Sequence, residues 1–201
     1  MIKKIDLVLD IAGVIASNFS PIYWEDLSSK FEVTYEELIK FRKEVRDELW
    51  TGKITEQEFW ERLIERFPTI DGSYAKKKLL SVIKPLPALE ELLLWSMYAN
   101  IHLLSNHRIE WIKHIIRPVE NSIKSITTSC DVGLCKPQVG IYVVVNSKIS
   151  SEGKAIFIDD QEKNLIVARN LGWNTILADD KGKWIEKVTQ ILVRQNTHYL
   201  N

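Results

Sequence analysis

Neither sign of charge is in excess in this sequence: lysine plus arginine number 27, and so do aspartate plus glutamate. That balance provides no global basic field to recruit nucleic acid, and no basic amphipathic run marks a membrane-binding face. No apolar stretch approaches the ~20 residues that a bilayer-spanning helix needs. The apolar run near the N-terminus carries Asp6 and Asp10, charges that the apolar region of a secretory signal would not hold. Cysteine is scarce, with Cys130 and Cys135 alone, which reads as two reduced thiols in a cytoplasmic protein rather than a disulfide framework. Internal repeats and low-complexity segments are absent. What is abundant is tryptophan, seven in 201 residues; Trp24, Trp50, Trp60, Trp95 and Trp111 fall in helix-like segments, where core packing is the default role. Length and an apolar fraction of 45% suit one domain with a sizeable core, or one domain carrying a small insertion.

Short β-branched or leucine-rich runs recur at 5–10, 100–105, 122–128, 154–159 and 174–178. Several are almost wholly apolar, as strands covered on both faces are. The segments 107–117, 138–147, 162–170 and 181–194 have helical length and spacing. Alternation of this kind predicts an α/β, doubly wound (Rossmann-like) parallel sheet with right-handed crossovers. Residues 19–95 break the pattern. They contain no convincing strand and read as four helices, with Thr34–Glu37 and Thr55–Glu58 as capping boxes and Gly52 stopping the second. The expected organisation is an α/β core of residues 1–18 and 96–201 with a helical cap, 19–95, inserted after the first strand. An insertion there sits above the carboxyl ends of the strands, where such sheets bind ligands.

Why should an apolar strand such as Leu7-Val8-Leu9 end in a carboxylate? The other predicted strand ends suggest the answer. The second ends at Ser105-Asn106 and the fourth at Asp159-Asp160, while Lys136 precedes Pro137 in the loop before the helix near Gln138. A nucleophilic carboxylate, a hydroxyl donor, a cation and an acidic pair meeting at one sheet edge form a coherent set for phosphoryl transfer. Clustered carboxylates repel one another, so a divalent cation such as Mg²⁺ is implied. Each residue also has a plainer role. Asp10 could close a turn, and Ser105 or either aspartate of the pair could cap a helix. Lys136 could be a solvated loop residue.

In order along the chain, DIAGV, LLSN, the lysine of CKPQVGIY and IFIDDQEKN resemble the four motifs of the haloacid dehalogenase-like (HAD) hydrolase superfamily, helical-cap type. GKITEQEFWERL and IDDQEKNLIVARNLGW look most like the branch containing α-D-glucose-1-phosphate phosphatase. The resemblance implies a Mg²⁺-dependent phosphatase acting on a small phosphorylated molecule, with Asp10 as nucleophile. It implies metal ligands in Asp10, the carbonyl of Ala12 and Asp160, with Asp159 on the ion or one layer behind it. Ser105, Asn106 and Lys136 would hold the phosphoryl group, and the Ala12-Gly13 turn would meet the substrate. Asn164 stands where many relatives have an aspartate.

Ala12 itself stands where ordinary phosphatases of this superfamily carry an acid–base aspartate. A methyl group cannot protonate a leaving alcohol or deprotonate water, assistance typically worth about 10²–10⁴-fold. The expectation is phosphoryl transfer biased toward good leaving groups, such as a sugar 1-phosphate. Two alternatives stand beside it: a weakly catalytic binding or regulatory member of the fold, and a C–P bond hydrolase of the phosphonoacetaldehyde hydrolase type using Lys53 as a Schiff-base lysine. His107 and Arg108, just past the second motif, and Arg42, Arg46 and Trp50, spaced four apart on one helix face, are candidates for substrate contact.

Overall fold

In the computed structural model, residues 4–150 and 155–197 are described. Lys154 of the fourth predicted run, and the ends of the expected core segments at 1–3 and 198–201, lie outside them. Five parallel strands, β1 (Ile5–Leu9), β2 (Ala99–Ser105), β3 (Ile123–Thr128), β4 (Ala155–Asp159) and β5 (Asn174–Leu177), stand in the order β3-β2-β1-β4-β5. β1 is central, with Leu7 opposite both Ile101 and Ile156. The strand period of two separates two cores. Leu7, Leu9, Ile101, Leu103, Ile156 and Ile158 pack on one face, and Val8, Leu104 and Phe157 on the other.

Helices α1 (Ile22–Phe31), α2 (Tyr35–Trp50), α3 (Glu56–Arg66) and α4 (Gly72–Val82) follow the loop after β1. The Thr55–Glu58 capping box is complete, with Thr55 accepting from Glu58 N and Glu58 accepting from Thr55 N. At Thr34 only half forms. Its hydroxyl accepts from Glu37 N at 3.3 Å and donates to the Glu37 carboxylate, but that carboxylate makes no bond to the Thr34 backbone N–H. Asp26 binds α1 to α4 by accepting from Tyr74 and pairing with Lys78. A fifth helix, α5 (Ala88–Tyr98), runs directly into β2. It packs against β2 and against α10 (Lys183–Thr197), where Trp95 donates to Thr189 and stacks near Trp184.

The remaining elements complete the crossovers: α6 (Ile109–Ile116) with the 3-10 turn Arg117–Ser122, the one-turn α7 (Ser129–Val132), α8 (Val139–Asn146) and α9 (Glu162–Asn170). Pro118 lies inside the 3-10 turn, so α6 stops at 116. Two kinds of contact bind the helical block to α6. Trp111 sits among Trp50, Phe59, Trp60 and Phe19, all with ring centroids within 6.2 Å of it. Buried Arg108 donates to the carbonyls of Leu49 and Ile54, and Trp111 donates to Glu56. No described helix is long and apolar enough to cross a membrane.

Candidate active site

β1 delivers Asp10 to the carboxyl edge of the sheet, where Asp10 N still bonds to Ile158 O of β4. The chain then turns sharply: Gly13 adopts φ +80°, a conformation that suits a residue without a Cβ. A Cβ there would lie 2.4 Å from Asp160 Oδ2, so the turn and the acidic pair are built against each other. β4 ends at Asp159, wholly buried, and α9 begins just beyond Asp160.

Lys136 closes the arrangement. Its ammonium, 1% exposed, lies 2.8 Å from Asp10 Oδ1 and 2.7 Å from Asp159 Oδ2. Asn106 holds that loop from both sides, donating to Lys136 O and accepting from Lys136 N. Asp159 also accepts from Gln161 N and, through both oxygens, from Asn164 Nδ2. Asp10 Oδ1 accepts a further bond from Ile11 N at 2.6 Å, while Oδ2 has no partner among the described residues. Carboxylate oxygens of Asp10, Asp159 and Asp160 come within 4.8 Å of one another, a spacing that could hold one cation. Asp160 Oδ1 is buried without a hydrogen-bond partner, which is the deficit that an ion or its water would fill.

The electrostatics are set by burial. Asp10 is pushed up to about 7 by desolvation, with Lys136 pulling it down and Asp159 pushing it up. Asp160 is raised, chiefly by burial and by Asp159. His107 is driven down to about 4 by burial and by the neighbouring Lys136 charge, so its imidazole is neutral at neutral pH. Its Nδ1 has no partner and its ring stands edge-on to Phe19, with centroids 5.6 Å apart.

No protein-family model matches the chain. Among solved structures, HAD family enzyme BT-2542 from Bacteroides thetaiotaomicron superposes with a TM-score of 0.77 at 22% identity, over 88% of this chain and 96% of that one. A predicted HAD-like family hydrolase from Porphyromonas gingivalis gives 0.76 at 22% identity, over 94% and 98%. A dehalogenase gives 0.61 at 20% identity, over 90% and 88%. This chain has the HAD fold. Other structures of BT-2542 are complexes with magnesium and inorganic phosphate, one of them of an aspartate-to-alanine mutant. At these identities the likeness speaks to fold and does not distinguish branches within it.

Above the HAD-type sheet edge lies a cavity of about 380 Å³. Asp10, Ala12, Asn106 and Lys136 form its floor, and His107 and Asn164 also line it. Ser105 and Asp159 are wholly buried behind that lining, the Ser105 hydroxyl accepting from His107 N at 3.1 Å. Gly13 and Asp160 lie beside the lining rather than in it. Of the helical-block candidates, Arg42, Arg46 and Trp50 all face the cavity. Arg108 does not line it, being spent on Leu49, Ile54 and Glu110. Lys53 is exposed and outside the lining. Asn18, Phe19, Ser20 and Lys163 also reach the cavity, and nothing in their sequence context singled them out. Cys135 is there too, its thiol held up by burial and therefore a poor nucleophile.

Proposed function

We propose that the protein is a Mg²⁺-dependent hydrolase of small-molecule phosphate monoesters working through a phosphoryl-aspartate on Asp10. The observation that carries this reading is the buried lysine between two strand-end aspartates, on the floor of a cavity and beside a third carboxylate with an unsatisfied oxygen. The Mg²⁺ would be held by Asp10, the Ala12 carbonyl and Asp160, supported by Asp159, and would neutralise charge on the phosphoryl oxygens. Further support comes from the neighbour that binds magnesium and phosphate in the same fold, including in a form that lacks one aspartate.

Each remaining step falls to this chain's own residues. Lys136 and the amide of Ile11 occupy Asp10 Oδ1, so Oδ2 is the attacking atom. A bond forms from Oδ2 to phosphorus as the phosphorus–oxygen bond to the leaving group breaks, with Lys136 and Asn106 steadying the transferred group and the Ser105 hydroxyl positioning the backbone at His107 behind them. The departing oxygen keeps the electron pair. Ala12, at the cavity floor, has no proton to give it, so anomeric, aryl and acyl leaving groups react faster than simple alkoxides. Water then attacks phosphorus as the Oδ2–phosphorus bond breaks, its electron pair returning to the Asp10 carboxylate, and inorganic phosphate leaves carrying the proton given up by the water. A sugar 1-phosphate of the kind used by the glucose-1-phosphate phosphatase branch fits that bias. Residues 19–95 serve as the cap, contributing through Arg42, Arg46 and Trp50. In a Mg²⁺-dependent screen of phosphate esters, we expect turnover that Asp10→Asn abolishes and a rate that falls steeply as leaving-group pKa rises. Turnover that survives Asp10→Asn would overturn the assignment.

A further inference from the structure

The charges lining the cavity do not cancel. Lys136 is paired with Asp10, and Arg46 Nε with Asp47 Oδ1 at 2.9 Å. Arg42, half-buried on the same face of α2, donates to the neutral Ser20 hydroxyl at 3.2 Å and makes no ion pair among the described residues. Lys163, on α9 across the cavity, has no described carboxylate partner either. After pairing, two positive charges therefore line the cavity, neither of them bonded to the aspartates that manage the reacting group.

A partly desolvated guanidinium whose only anchor is a hydroxyl keeps most of its donors free, in the planar fork that suits carboxylate and phosphate. The cavity volume falls within the ~300–1,000 Å³ usual for small-molecule sites, which leaves space beyond a single phosphoryl group. We propose that the cavity reads a second anionic group on its ligand, a carboxylate or a second phosphate, through Arg42 and Lys163. This proposal rests on the phosphate-ester reading of the floor and narrows its substrates to phosphate esters that carry a second anionic group at their far end. The aromatic wall of Trp50, Phe19 and His107 would flank the uncharged middle of such a ligand.

The test uses non-hydrolysable ligands, so that binding is read separately from turnover. In excess Mg²⁺, calorimetry compares alkylphosphonates with ω-phosphonoalkanoates and α,ω-bisphosphonates of matched and increasing length. One doubly charged series is expected to bind about tenfold tighter than its alkyl counterpart, equivalent to roughly 1.4 kcal/mol. Whichever series wins identifies the second group. In Arg42→Ala with Lys163→Ala that ratio is expected to fall toward one, and in Arg42→Lys to be partly kept; thermal melts check that each variant folds. Equal binding of charged and alkyl ligands in the wild type, or a ratio unaltered in the double variant, overturns the proposal. Turnover of phosphate esters without a binding preference overturns the second-anion site alone. A preference without turnover overturns the hydrolase reading alone. No binding of any phosphonate overturns both.

Discussion

Replacing Lys136 by methionine, which keeps the stem and removes the charge, tests the electrostatics of the site directly. The ammonium is the only cation within ion-pair distance of the two buried carboxylates among the described residues, at 2.8 and 2.7 Å. Breaking a buried pair by removing one partner costs about 3–5 kcal/mol, because the other charge is left uncompensated. Here the penalty depends on pH, and its sign follows from Asp10. Burial, opposed by Lys136 and reinforced by Asp159, pushes that carboxyl up to about 7. A carboxyl raised in the folded state favours folding most below its unfolded value near 4, and that contribution is lost as pH rises through about 7. At pH 5 the folded variant holds Asp10 protonated, and Asp159 keeps its bonds from Asn164 and Gln161. At pH 8 the wild type holds Asp10 largely ionised against Lys136, whereas the variant must either bury that charge without a cation or keep the carboxyl protonated against the solution pH. Urea denaturation of wild type and Lys136→Met, in chelator, should therefore show a loss at pH 8 of about 3–5 kcal/mol and a clearly smaller one at pH 5. Added Mg²⁺ should recover part of the loss at pH 8, since a ligand of the folded state stabilises it by mass action. A loss equal at both pH values, or larger at pH 5, would refute the reasoning.

Gly13→Ala would push a methyl group into Asp160 at a backbone angle that alanine adopts poorly; Mg²⁺ titration followed by calorimetry should show at least tenfold weaker binding, with the fold retained by circular dichroism. Asn164→Asp adds a carboxylate against Asp159, where the amide now donates two bonds; the variant should melt lower than wild type in chelator, by an amount equivalent to roughly 1–3 kcal/mol, and regain much of the difference in Mg²⁺. Ala12→Asp returns an acid–base group to the cavity floor; turnover of alkyl phosphates should rise by up to about 10²-fold, while aryl phosphates change little, as a paired steady-state comparison would show.

The five strands were legible as short β-branched or leucine-rich runs, and where such a run ends on a polar residue that punctuation also marked Asp10, Ser105 and the Asp159-Asp160 pair. α5 was not legible as an element. Its residues Leu92 to Tyr98 continue into Ala99 of β2 with no glycine, proline or charge between them, so helix and strand merge into one apolar stretch. Lys136 was readable beside Pro137, but its position between two carboxylates depends on Asn106 folding the loop back. The cavity walls were only half visible. Arg42, Arg46 and Trp50 share a helix face that periodicity reveals. Asn18, Phe19 and Ser20 lie in an irregular connection, where residue type carries no direction. Lys163 was hidden for a related reason: an exposed lysine on a short helix looks the same in sequence whether it faces a cavity or open water.

β1 precedes every other strand along the chain yet lies in the middle of the sheet, bonded to residues 99–103 on one side and 155–158 on the other. An emerging chain therefore carries an apolar strand with two open edges until residues 99–103 follow it, and with one open edge until residues 155–158 do. Asp10 cannot meet Asp160 before then, so a truncated or stalled product would combine an aggregation-prone segment with no metal site.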